Sequence, residues 1–292
     1  MKTLIVDEKY DNKKLNIFLL AKFDGLSVNT IYKALRKKDI RINDIKVNQN
    51  AILHKGDEIK IFIVDDLLYS SNKLKFEIIY EDENILVLDK PSGIEITGDN
   101  SISSYLEKKY DNSIFPCHRL DRNTSGIVLF AKNQVSLNIL LNSFKNKEIE
   151  KHYRCITCNI PKKSEDLLKA YLFKDSKKSI VYISDKKQTG YQEIITSYKI
   201  LEKDKDKNLA FLDVTLHTGK THQIRAHLAH INCPILGDGK YGINKINQKF
   251  NIKTQLLSSY SITFHFKEKN ELYYLNNKTF KLKKLNFDIK KI

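Results

Sequence analysis

The apolar positions of this chain change their period several times, and each change marks an element. Leu15, Phe18 and Leu19 recur at helical spacing, and Ser27 can cap a second helix carrying Ile31, Ala34 and Leu35. Residues 41–48 then read as two short alternating pieces around an Asn43-Asp44 turn. Lys55-Gly56-Asp57 makes another turn into an alternating strand over residues 58–63. The polar stretch around Asp65, Asp66, Ser70, Ser71 and Asn72 interrupts the pattern and reads as a linker. Beyond it, residues 76–80 and 85–88 predict strands around the acidic turn Glu81-Asp82-Glu83-Asn84. Further strands are expected at 127–131, 153–160, 192–200 and 209–216, with helices at 135–144 and 222–230. Strands and helices intermix without regular βαβ alternation, which predicts an α+β fold around a mixed sheet.

Composition narrows the class. Hydrophobic residues make up 41% of 292, enough for a packed core, so wholesale disorder is excluded. No apolar run approaches the ~18 residues of a membrane span. The first residues meet charge too early for a signal peptide. We therefore expect no membrane partner and a cytoplasmic location. The net charge of +16 suits a polyanionic partner. Lysine dominates the cations, and only six arginines occur: Arg36, Arg41, Arg119, Arg122, Arg154 and Arg225. Where lysine is the default, an arginine hints at a need for a planar, bidentate fork. Cys155-Ile-Thr-Cys158 has metal-site spacing, but no second pair of ligands lies nearby, so we expect buried thiols and no metal.

Three segments carry candidate chemistry. In the segment from His118 to Gly126, Asp121 lies between Arg119 and Arg122, ahead of Thr-Ser-Gly and an apolar strand. Flanking guanidinium groups favour an ionised carboxylate that can act as nucleophile or base. An aspartate in such a turn is more often a local cap. In the segment from Leu216 to Leu228, a Thr-Gly turn leads into a helix start that can receive phosphate, and Arg225 could pair with a distant carboxylate. Its histidines, His222, His227 and His230, lack the spacing of a zinc helix, so backbone or phosphate hydrogen bonds are expected for them. In Lys151-His152-Tyr153-Arg154, a tyrosine among cations could stack on a base, or could simply pack in a strand.

Taken in order and spacing, HRLDRNTSGIVLFAK, KHYR, and HTGKTHQIRAHL with CPILGD and YG resemble the RluA-type pseudouridine synthase family, as does the opening YEDENILVLDKPSGI. The likeness runs from about residue 76 to about residue 265. The preceding helix pair and basic strand-turn-strand resemble an S4 RNA-binding domain. The resemblance implies a largely antiparallel central sheet with flanking helices. It also implies an S4-like domain at 1–66, a linker at 67–74 and a catalytic domain at 75–292.

By the same resemblance, Asp121 is the catalytic aspartate, Arg119 enters the RNA stack as the uridine leaves it, Tyr153 lies against the flipped uracil, and Arg225 pairs with the carboxylate. Arg122, His222, Arg36, Lys37, Lys38 and Arg41 are candidate RNA contacts. The expected reaction is isomerisation of uridine to pseudouridine in ribosomal RNA, with transfer RNA the other candidate. Asp121 would attack C1′ of the ribose or C6 of the base, in a monomer needing no cofactor. The alternative is an inactive S4-type RNA-binding or ribosome-assembly factor. An S4-linked methyltransferase would need a glycine-rich cofactor turn, and none occurs. The chain departs from the family pattern at Lys220, at Glu95 to Gly98, and at Leu257 to Ser259, where a Leu-His-Ala is usual.

Overall fold

The computed structural model describes residues 1–23, 25–68, 76–110 and 113–292. The chain divides into two compact units, Met1–Lys75 and Phe76–Ile292.

The first unit holds β1 (Lys2–Ile5), α1 (Leu15–Lys22), α2 (Val28–Lys37), β2 (Ile40–Ile42), β3 (Ile45–Lys46), β4 (Glu58–Ile61) and the helical turn α3 (Asp65–Leu68). Ser27 caps α2 by accepting the Thr30 N–H at 3.1 Å. Asn43 and Asp44 both take positive φ (49° and 65°), as a two-residue turn between β2 and β3 requires. The strands pair antiparallel in the order β1-β4-β2-β3. Leu15, Phe18, Leu19, Ile31 and Leu35 meet Ile59 and Ile61 in the core. β1 was not foreseen, because it pairs with β4, more than fifty residues away. The expected linker begins differently: α3 occupies its first residues, with Leu68 buried in this core. Residues 69–74 of that linker lie outside the described residues.

The second unit contains β5 (Glu77–Glu81), β6 (Ile85–Lys90), α4 (Ile102–Lys109), β7 (Phe115–Pro116), β8 (Ser125–Ala131), α5 (Gln134–Lys145) and β9 (Ile149–Cys158). It continues with β10 (Glu165–Asp175), β11 (Ile180–Ser184), β12 (Gln192–Asp204), β13 (Leu209–Leu216), α6 (Gln223–His230), α7 (Asn244–Lys249), β14 (Leu257–Phe264) and β15 (Thr279–Lys281). One sheet runs in the order β11-β10-β12-β13-β9-β14-β8-β6-β5, with β15 beside β14 and β7 beside β8. Among the described residues every pairing is antiparallel except β14 with β8. The α+β, mixed and largely antiparallel sheet therefore stands as expected. β8 is buried along its whole length, which explains its unbroken apolar run.

Alternation along β9 decides which side chains meet. Tyr153 and Cys155 join one core with Val128, Leu212, Val214 and Leu228. Ile156 and Cys158 join another with Leu209 and Leu236. The two cysteines three apart therefore lie on opposite faces of the sheet and cannot share a ligand.

Candidate active site

The loop entering β8 carries Asp121, and several contacts fix it. Thr124 N–H donates to the Asp121 carbonyl at 3.0 Å, closing a turn. Thr124 Oγ1 accepts Gln255 Nε2 at 2.6 Å. Gly126 has φ of 106°, and a Cβ there would collide with the Ser259 backbone where β8 meets β14. Only glycine allows that approach. Beneath the loop, Lys90 is fully buried. Its ammonium donates to the carbonyls of Pro91 (2.9 Å), Ile94 (2.8 Å) and Arg122 (2.9 Å), tying the end of β6 to the Asp121 loop. Burial pushes the Lys90 pKa down to about 8, against the opposing charges of Asp121, Asp89 and Glu95. His118 braces the same loop: its Nε2 accepts the Leu129 N–H at 3.1 Å. Burial lowers its pKa to about 3, so it stays neutral.

Across from this loop, α6 presents Arg225 in its first turn. His222 ends the preceding turn with φ of 54°, a left-handed conformation that is strained for a side-chain-bearing residue. Arg225 is 7% exposed. Its Nη1 reaches Asp121 Oδ2 at 2.8 Å, while Nε and Nη2 clasp Asp238 at 2.7 and 2.9 Å. Asp238 is wholly buried and also accepts the N–H groups of Lys240 and Tyr241 at 2.8 and 3.1 Å. Burial alone would lower the Arg225 pKa, but the bonds and charges of Asp238 and then Asp121 raise it. Burial likewise opposes ionisation of Asp238, and the Arg225 guanidinium outweighs it. One guanidinium thus serves two carboxylates, one sealed and one open.

His222 approaches Asp121 Oδ2 with Nε2 at 3.9 Å, and its Nδ1 is 2.8 Å from the Tyr241 hydroxyl. That hydroxyl accepts the Val181 N–H at 2.9 Å, so its own hydrogen is free for Nδ1, and Nε2–H can then face Asp121. Burial keeps the His222 pKa below its ordinary value, against the raising charge of Asp121. Arg225 also lies over the Tyr241 ring at 5.2 Å. Asp121 Oδ1 has no partner among the described residues.

Asp121 stands between two depressions of about 450 and 530 Å³ that share Arg119, Thr221, His222 and Arg225. The first is walled by Tyr153, Leu216 and Leu257 and ringed by Lys145, Lys151 and Lys220. Tyr153 is 5% exposed; burial raises its pKa, against a lowering bond from Ser259. Burial also lowers the pKa of Lys151, whose ammonium lies 5.0 Å over the Phe144 ring.

The expected residues divide accordingly. Asp121, Arg225, Tyr153, His222 and Arg119 come together. Arg122 lines the second depression and donates from Nε to the Gly93 carbonyl at 2.9 Å, while the cation bonded to Asp121 is Arg225, as the resemblance implied. His152 and Arg154, although they flank Tyr153, point to the other face of β9 and pair with Asp213, both at 3.3 Å. The α6 histidines bond to side chains, where backbone or phosphate was expected. His227 Nδ1 lies 3.0 Å from Thr196 Oγ1, and His230 Nε2 lies 2.8 Å from Asp185. In the first unit, Arg36, Lys37 and Lys38 are exposed, and Arg41 stacks on Phe62 at 4.8 Å. Sequence reasoning gave no role to Asp238, Lys90, Tyr241 or Gln255. The acid in Leu236-Gly237-Asp238 and the lysine before Pro91-Ser92-Gly93 were visible signals, but nothing in the chain order joins them to Asp121.

Comparison with known proteins completes the picture. Residues 84–230 match the RNA pseudouridylate synthase family, a span that includes Lys90, Asp121, Tyr153 and Arg225. The chain is 34% identical to ribosomal large subunit pseudouridine synthase C of Buchnera aphidicola subsp. Baizongia pistaciae, covering 92% of this chain and 91% of that one. It is 36% identical to an RNA pseudouridine synthase of Mycoplasma capricolum subsp. capricolum, covering 95% and 96%. Its fold resembles human RNA pseudouridylate synthase domain containing 1 (TM-score 0.56, 19% identity, 74% of this chain and 92% of that one). It also resembles human RNA pseudouridylate synthase domain containing 4 (TM-score 0.54, 22% identity, 64% and 83%). With a family match across half its length and relatives above 30% identity along nearly all of it, the chain belongs to the RNA pseudouridylate synthase family, enzymes that isomerise uridine to pseudouridine.

Proposed function

We propose that Asp121 is the carboxylate that attacks the target uridine, and that the substrate is large-subunit ribosomal RNA, the RNA in the name of the Buchnera relative. The observation that carries the reading is the sharing of Arg225 between Asp121 and the sealed Asp238. The guanidinium fixes Oδ2 and leaves Oδ1 open to the two depressions. A group so held needs little reorganisation when charge shifts during reaction.

A uridine in folded RNA must leave its stack before a side chain can reach the glycosidic bond, at a cost of a few kcal/mol. Arg119, exposed at the rim of both depressions, would enter the gap. Oδ1 would then attack C1′ of the ribose or C6 of the base. The C1′–N1 bond breaks, the uracil turns and a C1′–C5 bond forms; the bond made to Oδ1 is broken again, freeing the carboxylate, and C5 loses the proton that balances the one gained at N1. No atom is added or removed, so the chemistry calls for no group donor. Tyr153 offers the detached base a platform in a pocket of its own size class. The basic edge of the first unit (Arg36, Lys37, Lys38, Arg41) would hold RNA as an S4-like domain, with a salt-dependent affinity. We further propose a cytoplasmic monomer. No helix among the described residues is long and apolar enough to cross a membrane.

The test is chemical mapping of pseudouridine in total RNA with and without the gene. One ribosomal site should vanish with the gene and return with wild type but not with Asp121→Ala. Return of the site with Asp121→Ala would end the proposal.

A further inference from the structure

We propose that the outer face of the β10–β11 hairpin, with the residue entering β12, is a second RNA contact, a stacking platform for unpaired bases. It rests on the reading of this chain as an enzyme acting on RNA. The inner face of the hairpin is accounted for: Ala170, Leu172 and Val181 pack with Ile194 and with Ala226 of α6. On the outer face large aromatic side chains remain partly exposed. There Phe173 stands directly opposite Tyr182 across the strand pair. Phe173 also stacks on Tyr191, with ring centroids 5.4 Å apart and planes at 27°. The three rings form a row across adjacent strands, and Phe173 and Tyr182 remain 38% and 42% exposed.

Cross-strand aromatic pairs stabilise hairpins by burying each other. This row keeps much of its surface in water, which packing alone does not explain. Its charged frame points to the occupant. Lys169, Lys177, Lys186 and Lys187 are exposed around the row. Two acids share this face: Glu193, opposite Tyr171, is exposed, and Asp175 accepts the Lys178 N–H at 3.0 Å, so the four lysines outnumber them. Aromatic faces set among cations suit a single strand, because every base has a π-face and every linkage a charge. The platform is also continuous with the Asp121 cleft. Lys174, Ser176 and Ser179 of the same hairpin line the depression beside Asp121, and Lys240 Nζ donates to the Ser179 carbonyl at 2.7 Å. A strand leaving the cleft over the hairpin tip meets the platform.

The experiment is photo-crosslinking of the full chain to a short single-stranded oligouridine carrying 4-thiouridine, with peptide mapping and affinity by anisotropy. Crosslinks should map to peptides holding Phe173, Tyr182 or Tyr191. Phe173→Ser with Tyr182→Ser should weaken binding about tenfold, whereas Phe173→Tyr with Tyr182→Phe should not. Crosslinks confined to the Asp121 cleft or the first unit would overturn the proposal. So would concentration-dependent self-association of wild type that the serine pair abolishes, which would assign the face to a second copy. If the serine pair does not fold, the wild-type crosslink map decides alone. Asp121→Ala retains the platform and should give the same map, so a failure of the catalytic reading leaves this one separately testable.

Discussion

Two arginine–carboxylate systems face opposite sides of the central strands, and they differ in what their charges are for. On the Tyr153 side, Arg225 is nearly sealed and clasps Asp238 with two bonds of 2.7 and 2.9 Å, reaching Asp121 with a third. On the other side, Arg154 meets Asp213 at 3.3 Å without an aligned bond from Nη1, and covers the Tyr260 ring at 4.7 Å. Both pairs would look alike in a count of ion pairs. Only the first leaves a carboxylate oxygen open beside a cavity, with its cation fixed by a second, buried acid. An over-determined cation next to an open acid marks a site; a loose pair on a sheet face marks packing.

The largest contrast lies in the acids. Asp121→Asn should lower the isomerisation rate roughly a thousandfold or more, as loss of a nucleophile does, while Asp213→Asn leaves it within about threefold. Single-turnover assays on the mapped RNA decide, and comparable losses in both would erase the distinction.

The arginines come next. Arg225→Met strands Asp238, so it should cost about 3–5 kcal/mol of stability as well as activity. Adding Asp238→Asn should restore much of the stability and none of the activity. Arg154→Met should cost about 1 kcal/mol or less and leave the rate unchanged. Denaturant unfolding beside the rate assay separates these outcomes.

A smaller effect is a difference in pH response. Burial lowers the His227 pKa to about 4, so between pH 6.5 and 4 the unfolded chain takes up a proton that the fold refuses, and stability falls on acidification. At 1% exposure the loss approaches about 3 kcal/mol at pH 4. His227→Gln should flatten that fall. His152 behaves oppositely: Asp213 and Glu150 raise its pKa, so its contribution is complete below 6.5 and fades as pH rises through the folded value. His152→Gln should therefore lower stability on the acid side only. Chemical unfolding as a function of pH reads both.

The smallest effect is expected from Tyr241→Phe, which removes the hydroxyl between His222 and Val181. A few-fold loss of rate with an altered pH profile would show that His222 orientation matters; an unchanged profile would make it a packing residue.

Much of the local structure was legible beforehand. The Ser27 cap, the Asn43-Asp44 turn, the β5–β6 hairpin and α5 each rest on contacts between near neighbours, so local pattern suffices, while β8 was legible from an unbroken apolar run that its distant partners bury. β10, β11 and α4 were missed. β10 and β11 have one face against α6 and one open to water, with aromatic and charged residues sharing the open side, which blurs the alternation. The site was half legible. Asp121, Tyr153 and Arg225 stand in segments whose residue types announce polar chemistry.

The order of residues already shows an α+β pattern, a large positive charge and two of the six arginines flanking Asp121. Tertiary structure alone decided which arginine meets which acid. Arg122 sits next to Asp121 in the chain, yet it turns to Gly93, while Arg225 arrives from 104 residues away. The reason is geometric: an extended turn sends adjacent side chains in different directions. A helix start packed across the sheet can aim one guanidinium at two carboxylates, and the buried Asp238 makes any other placement of that charge costly.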